Sequence, residues 1–183
     1  IGVFYTAEES SYIDNGLNII MPILLSDFNI DFAIILEPTD NEIQLGCLGA
    51  LNATLTINGK AAHSARPWVG DNPIYKVKDV VKLVEDNEIS EIEIDGLNFK
   101  QVMSITKISS GIANNVIPET LKLNLNFRYS PELNGSEAGS YINDLFFDYA
   151  EVEILNTSDG AMPNKSEEKI SEFIKKTGSV VQP

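Results

Sequence analysis

The stretch LNATLTIN at residues 51–58 alternates without exception, with Leu51, Ala53, Leu55 and Ile57 on one face and Asn52, Thr54, Thr56 and Asn58 on the other. Successive side chains of a strand point to opposite faces, so this is a strand with one buried and one wet side. Residues 120–129 repeat the pattern: Leu121, Leu123, Leu125, Phe127 and Tyr129 face one way, and Lys122, Asn124, Asn126 and Arg128 the other. Two such strands require an antiparallel sheet with a single apolar face, and something must cover that face.

The rest of this region provides the cover. Ile74, Val77, Val80, Val81 and Val84 repeat at helical spacing and predict a helix over 73–86, followed by a strand near 101–109. The segment NGSE at 134–137 is a capping-box variant opening a helix that buries Ala138, Ile142, Leu145 and Phe146, and EVEIL at 151–155 is a closing strand. The order β-α-β-β-α-β is the split βαβ of a ferredoxin-like α+β domain, with EIEIDG at 91–96 as an insertion. The flanks read differently. Residues 1–7 and the run IDFAIIL at 30–36 are apolar without alternation, and Leu17, Ile20, Met21, Leu24 and Leu25 mark a helix over 15–26 that Pro22 should kink. Strand, helix and strand of this kind predict a parallel βαβ unit. A last helix over about 166–177 ends in Lys175, Lys176 and Gly178. The expected fold class is therefore α/β: part of a mixed or parallel-sheet domain, residues 1–48 and 157–183, interrupted by an inserted ferredoxin-like domain over 49–156. A buried strand opening at Ile1 and a stop soon after the last helix suggest the middle of a longer protein, lacking both ends.

The chain carries 27 acidic residues against 13 lysines and arginines, a net charge of −14. That excludes nucleic acid as a partner, since no basic surface faces phosphate. No apolar run reaches membrane-spanning length, and the single cysteine fits a reducing cytoplasm. Cys47, between glycine and leucine, reads as a small packed hydrophobe. Residues 1–59 hold eight acids and no lysine or arginine. Uncompensated carboxylates either form a solvated face or hold divalent cations. Glu8 and Glu9 follow the first predicted strand and Glu37 the second, so in a parallel sheet all three should converge at one edge. Adjacent side chains diverge, so Glu8 and Glu9 should play different roles, one ligating metal and one handling a proton.

FYTAEES, ILEPTD, GCLGALNATLTINGKAAHSARPWVGDNPIY and ISSGIANNVIPETLKLNLNFRYSPE, in that order, resemble the di-zinc amidohydrolases of the aminoacylase/carboxypeptidase type. The resemblance covers nearly the whole chain. It implies a zinc-dependent hydrolase that cleaves the amide bond of an N-acyl amino acid, N-succinyl-LL-2,6-diaminopimelate foremost, with acetylornithine or a small peptide as the alternative substrate. A non-catalytic dimerisation piece is the alternative of another class. The resemblance further implies that Glu8 is the general base, that Glu9 bridges two divalent metal ions, and that Glu37 is a terminal metal ligand. The metals are expected to be zinc, with cobalt or manganese also compatible with carboxylate ligands. The inserted domain would mediate a homodimer and act as a lid. His63, the one histidine, would reach into the partner's site to polarise the scissile carbonyl, while Asn114, Asn115 and Arg128 contact substrate. Two departures accompany this. The family's His-x-Asp segment, bridging Asp and final His ligand are not in the chain, so the chain by itself is expected to be inactive. Desuccinylases of the family often carry two arginines where this chain has Cys47 and Leu48, so one candidate partner for a substrate carboxylate is missing. Trp68 is expected either to line the cleft or to pack at the hinge.

Overall fold

The computed structural model describes residues 1–8 and 14–183. In chain order the elements are α1 (Gly16–Asp27), β1 (Ile43–Gln44), β2 (Gly49–Asn58), β3 (Ala62–His63), a 3-10 turn (Pro67–Val69), α2 (Pro73–Asp86), β4 (Ile89–Ile94), β5 (Leu97–Ser110), β6 (Val116–Ile117), β7 (Thr120–Tyr129), α3 (Gly135–Phe146), β8 (Glu151–Ser158), α4 (Glu168–Thr177) and β9 (Val181–Gln182).

The two alternating stretches become the central strands β2 and β7, paired antiparallel from Gly49–Tyr129 to Asn58–Thr120. Strand order is β4-β5-β7-β2-β8, and every pair is antiparallel. Strands β2 and β5 are both antiparallel to β7, which lies between them, so β2-α2-β5 is a split βαβ unit as the ferredoxin-like pattern requires. The EIEIDG insertion is the outer strand β4, which folds back on β5 through Asp95-Gly96. Both residues take positive φ, 53° and 72°, as a two-residue hairpin of type I′ demands.

Helices α2 and α3 pack on one face. Leu51, Leu55, Leu121, Leu123, Leu125, Val80, Val84, Ile142 and Phe146 form a continuous buried core there with Met103 and Tyr129. The capping box opens α3 as the sequence predicts: Asn134 accepts the Ser136 and Glu137 amides, and Glu137 reaches back to the Asn134 amide at 2.9 Å. The opposite face is polar. Asn126 donates to Asn52 and Asn52 to Asn156, each at 3.0 Å, which joins three strands through one row of amides.

The flanking region departs from expectation. Residues 1–7 and 30–36 form no strand. Phe4 is 93 % exposed and Leu36 91 %. A parallel strand needs ladder partners and cover on both faces, and among the described residues neither run has a strand partner. The segment 30–36 instead meets α4, where Phe32 and Phe173 stack obliquely at 5.7 Å between centroids and Lys169 pairs with Asp31 at 3.3 Å. What parallel pairing there is joins β1 to β9. Cys47 is exposed and not the packed hydrophobe expected; its backbone forms an isolated antiparallel bridge with Ala161 at the margin of the sheet. Helix α4 ends as predicted, with Lys175 and Lys176 in its last turn and Gly178 left-handed at φ 64°.

Candidate active site

His63 sits on a closed loop between β2 and α2. The loop leaves the sheet at Gly59, whose amide donates to the Glu119 carbonyl at 2.7 Å. A Cβ on Gly59 would lie 2.3 Å from the Asp71 carbonyl oxygen, so only glycine fits this crossing. Lys60 and Asp71 exchange both backbone hydrogen bonds, and the Lys76 ammonium ties down the Asn58 carbonyl at 3.0 Å. Within the loop, His63 is held three times. It pairs with Val116 across β3–β6, the following Ser64 amide donates to the Asn115 carbonyl at 2.9 Å, and the Arg66 amide closes a turn onto the His63 carbonyl.

The ring itself is oriented too. The Ala65 amide donates to His63 Nδ1 at 3.1 Å. A nitrogen that accepts carries no proton, so the neutral imidazole keeps its hydrogen on Nε2, which is then free to donate. An exposed imidazole with an outward Nε2–H is what polarisation of a carbonyl oxygen needs. The β3–β6 ladder thus brings His63 and the turn holding Asn114 and Asn115 together, although some fifty residues separate them in the chain. Asn114 and Asn115 are both exposed. Trp68 lies in the 3-10 turn and is 76 % exposed.

Arg128 is elsewhere. It lies on the polar face of β7 opposite Ala50 and Val102, eight residues beyond Thr120, or about 26 Å along a strand of ordinary rise. His63 is at the Thr120 end. Arg128 lines a cleft with Gln44, Cys47, Lys100 and Gln182. Lys100 does not stand out in the sequence pattern, because the irregular burial of β5 hides which of its residues share the Arg128 face.

Among the described residues, no group of three or more His, Cys, Asp or Glu side chains is placed to hold a metal ion. The predicted convergence needed two parallel strands ending at one edge, and those strands are not formed. Glu9 lies outside the described residues. The Glu8 carbonyl is tied by the Asn15 side chain at 3.0 Å, and the same Asn15 caps α1 through the Leu17 amide. Glu37 is exposed.

One group whose pKa is raised is structural. The Tyr129 hydroxyl donates to the Ser158 carbonyl at 2.9 Å, and burial with the neighbouring Asp159 carboxylate holds its pKa above the usual phenol value.

Comparison with known proteins adds a family. The profile of the peptidase dimerisation domain matches residues 45–151. A Mycobacterium tuberculosis protein provisionally named succinyl-diaminopimelate desuccinylase is 34% identical over 98% of this chain and 51% of its own length. The succinyl-diaminopimelate desuccinylase of Corynebacterium glutamicum is 33% identical over 96% of this chain and 49% of its own. The chain thus spans about half the length of the curated relatives it matches. Among solved structures, a metallo-carboxypeptidase of Sulfolobus solfataricus aligns over 92% of this chain and 53% of its own, with TM-score 0.62 and 12% identity. A tripeptidase of Staphylococcus aureus aligns over 85% and 43%, with TM-score 0.59 and 17% identity. These two share the fold. With the profile covering β2 to the start of β8, the chain belongs to the peptidase dimerisation domain family.

Proposed function

We propose that the protein containing this chain is a cytoplasmic, metal-dependent amide hydrolase of N-acyl amino acids. Its substrate is N-succinyl-LL-2,6-diaminopimelate, cleaved to diaminopimelate and succinate in lysine and cell-wall biosynthesis. Residues 49–156 form the dimerisation domain, and residues 1–48 and 157–183 belong to the catalytic one. The observation that carries this reading is the division of the predicted substrate contacts between two ends of one sheet. An N-acyl amino acid is about two or three residues long, so it spans about 7–11 Å. His63 with Asn114 and Asn115 cannot meet the same molecule as Arg128 within one chain. A second copy related by a two-fold axis can bring the histidine end of one sheet to the arginine end of the other, as a closed homodimer does.

The donor chemistry on the catalytic side suits divalent cations. Glu37 is an exposed carboxylate that makes no hydrogen bond or ion pair among the described residues, and residues 1–59 contain no basic side chain to compete for it. Glu37 and Glu9 would hold two ions, zinc by preference, with the remaining ligands from the rest of the protein, since a closed site needs about four. Such ions supply Lewis acidity and a lowered water pKa. Glu8 takes the proton from the attacking water and returns it to the departing amine. His63 of the other subunit donates from Nε2 to the oxygen that gains negative charge. Arg128 anchors a substrate carboxylate through its planar pair of donors.

The test is primary-amine release from N-succinyl-diaminopimelate by the full-length protein. Release that disappears with a chelator and returns with zinc or cobalt is expected. The 183-residue chain by itself should release none. A full-length protein that is inert with every divalent metal contradicts the reading.

A further inference from the structure

The cleft around Arg128 is lined by Gln44, Cys47, Asn98, Lys100, Arg128 and Gln182 among its polar residues, and by no aspartate or glutamate. In a chain of net charge −14 this is unusual, since acids outnumber bases by 27 to 13. The two cations share one face. Val102 is directly opposite Arg128 on the neighbouring strand, and Lys100 is two residues before Val102. Lys100 and Arg128 are therefore diagonal neighbours, with Cα atoms about 7–8 Å apart. Both ammonium and guanidinium can reach one small molecule.

Neither cation is firmly engaged. Arg128 has no ion pair or side-chain hydrogen bond among the described residues. Lys100 meets Glu91 at 3.6 Å, with both side chains more than 60 % exposed (63 % and 61 %). A pair so long and so wet contributes little, so a ligand carboxylate can displace Glu91. One-signed clefts with a low-dielectric wall concentrate ligands of the opposite sign, and Leu48, Leu97 and Phe99 form that wall here. A single carboxylate is satisfied by the guanidinium fork of Arg128. The second charge at Lys100 is then left for a second carboxylate, which can compete with the long contact to Glu91.

We propose that Lys100 and Arg128 together bind a substrate with two carboxylates, and that Lys100 selects an acyl group ending in its own carboxylate. The proposal rests on the amide-hydrolase reading above and deepens it by assigning recognition of the acyl carboxylate to Lys100. Lys100 thereby provides, from the neighbouring strand, a positive charge that the uncharged Cys47 and Leu48 on the same cleft cannot.

The experiment compares N-succinyl and N-acetyl derivatives of one amino acid as substrates of the full-length protein, with Lys100→Gln and Lys100→Arg variants. Lys100→Gln should raise KM for the N-succinyl substrate about 10- to 100-fold more than for the N-acetyl one, as expected from removing a charge-assisted hydrogen bond. Lys100→Arg should restore most of the difference. Equal changes for both substrates would overturn the proposal. Calorimetric titration of the full-length protein with succinate and with acetate gives a readout independent of turnover. Succinate should bind wild type and weaken at least tenfold in Lys100→Gln, with acetate binding weakly to both. Succinate binding untouched by the substitution would mean that Lys100 faces other protein acids, and the assignment fails. If no N-acyl amino acid is hydrolysed yet succinate binding depends on Lys100, the hydrolase reading fails and the dicarboxylate site stands.

Discussion

His63 is held by its carbonyl, its strand partner and one ring nitrogen, and the Nε2–H is the one part of it left to act. A donor to charge that develops only in the transition state contributes to rate more than to binding. His63→Ala in the full-length protein should therefore lower kcat about 10²–10³-fold while KM changes far less. Steady-state kinetics check this, and a change confined to KM would show a substrate contact instead. The acidic pair separates by metal content. Glu8→Ala should keep the metal and lose about 10²–10⁴-fold in rate, whereas Glu37→Ala should lower the metal bound, as read by elemental analysis. Tyr129 belongs to stability. Its folded pKa lies above the unfolded value of 10.0, so its contribution is complete below pH 10 and is lost as pH rises through the folded value. Chemical denaturation at rising pH should show stability falling above about pH 10, with a shallower fall in Tyr129→Phe. The role of Tyr129 in the core was legible from its place in the alternation. The Ala65 contact to His63 was not, because no spacing rule announces which backbone amide meets a ring nitrogen.

At the scale of elements, the closed loop from Gly59 to Asp71 links stability to the site. A Cβ at residue 59 meets the backbone at Asp71 and the ring of Pro73, both of them fixed. Gly59→Ala should lower the melting temperature by the equivalent of about 1–3 kcal/mol and should also reduce kcat, since the loop carries His63. A melt unchanged from wild type would show that the crossing is slack. The ferredoxin-like elements were readable because each combines a strong local signal with a consistent partner. The bounds of α2 and β7 match the sequence reading, and Asn134 caps α3 as its motif suggests. The apolar runs at 1–7 and 30–36 misled for a physical reason. Continuous hydrophobicity states that a segment is to be buried but does not name what buries it, and a parallel strand takes its shape from neighbours more than from its own residues.

For the whole molecule, one sheet presents its histidine and asparagines at one end and its lysine–arginine cleft at the other. His63, Asn114, Asn115 and Arg128 could be picked out in the sequence, but their separation could not, since it depends on the register of β7 against β2 and β5. That separation calls for a site shared between two subunits. Its most direct test mixes full-length His63→Ala with full-length Glu8→Ala, each inactive on its own, under conditions where subunit exchange is demonstrated. In a mixed dimer one site has both its own Glu8 and the other subunit's His63, and the second site has neither. Random exchange gives mixed dimers about half the time, so about a quarter of wild-type activity should return under two-fold symmetry. Exchange with no recovery of activity would contradict the claim and place His63 in service of its own subunit or of none.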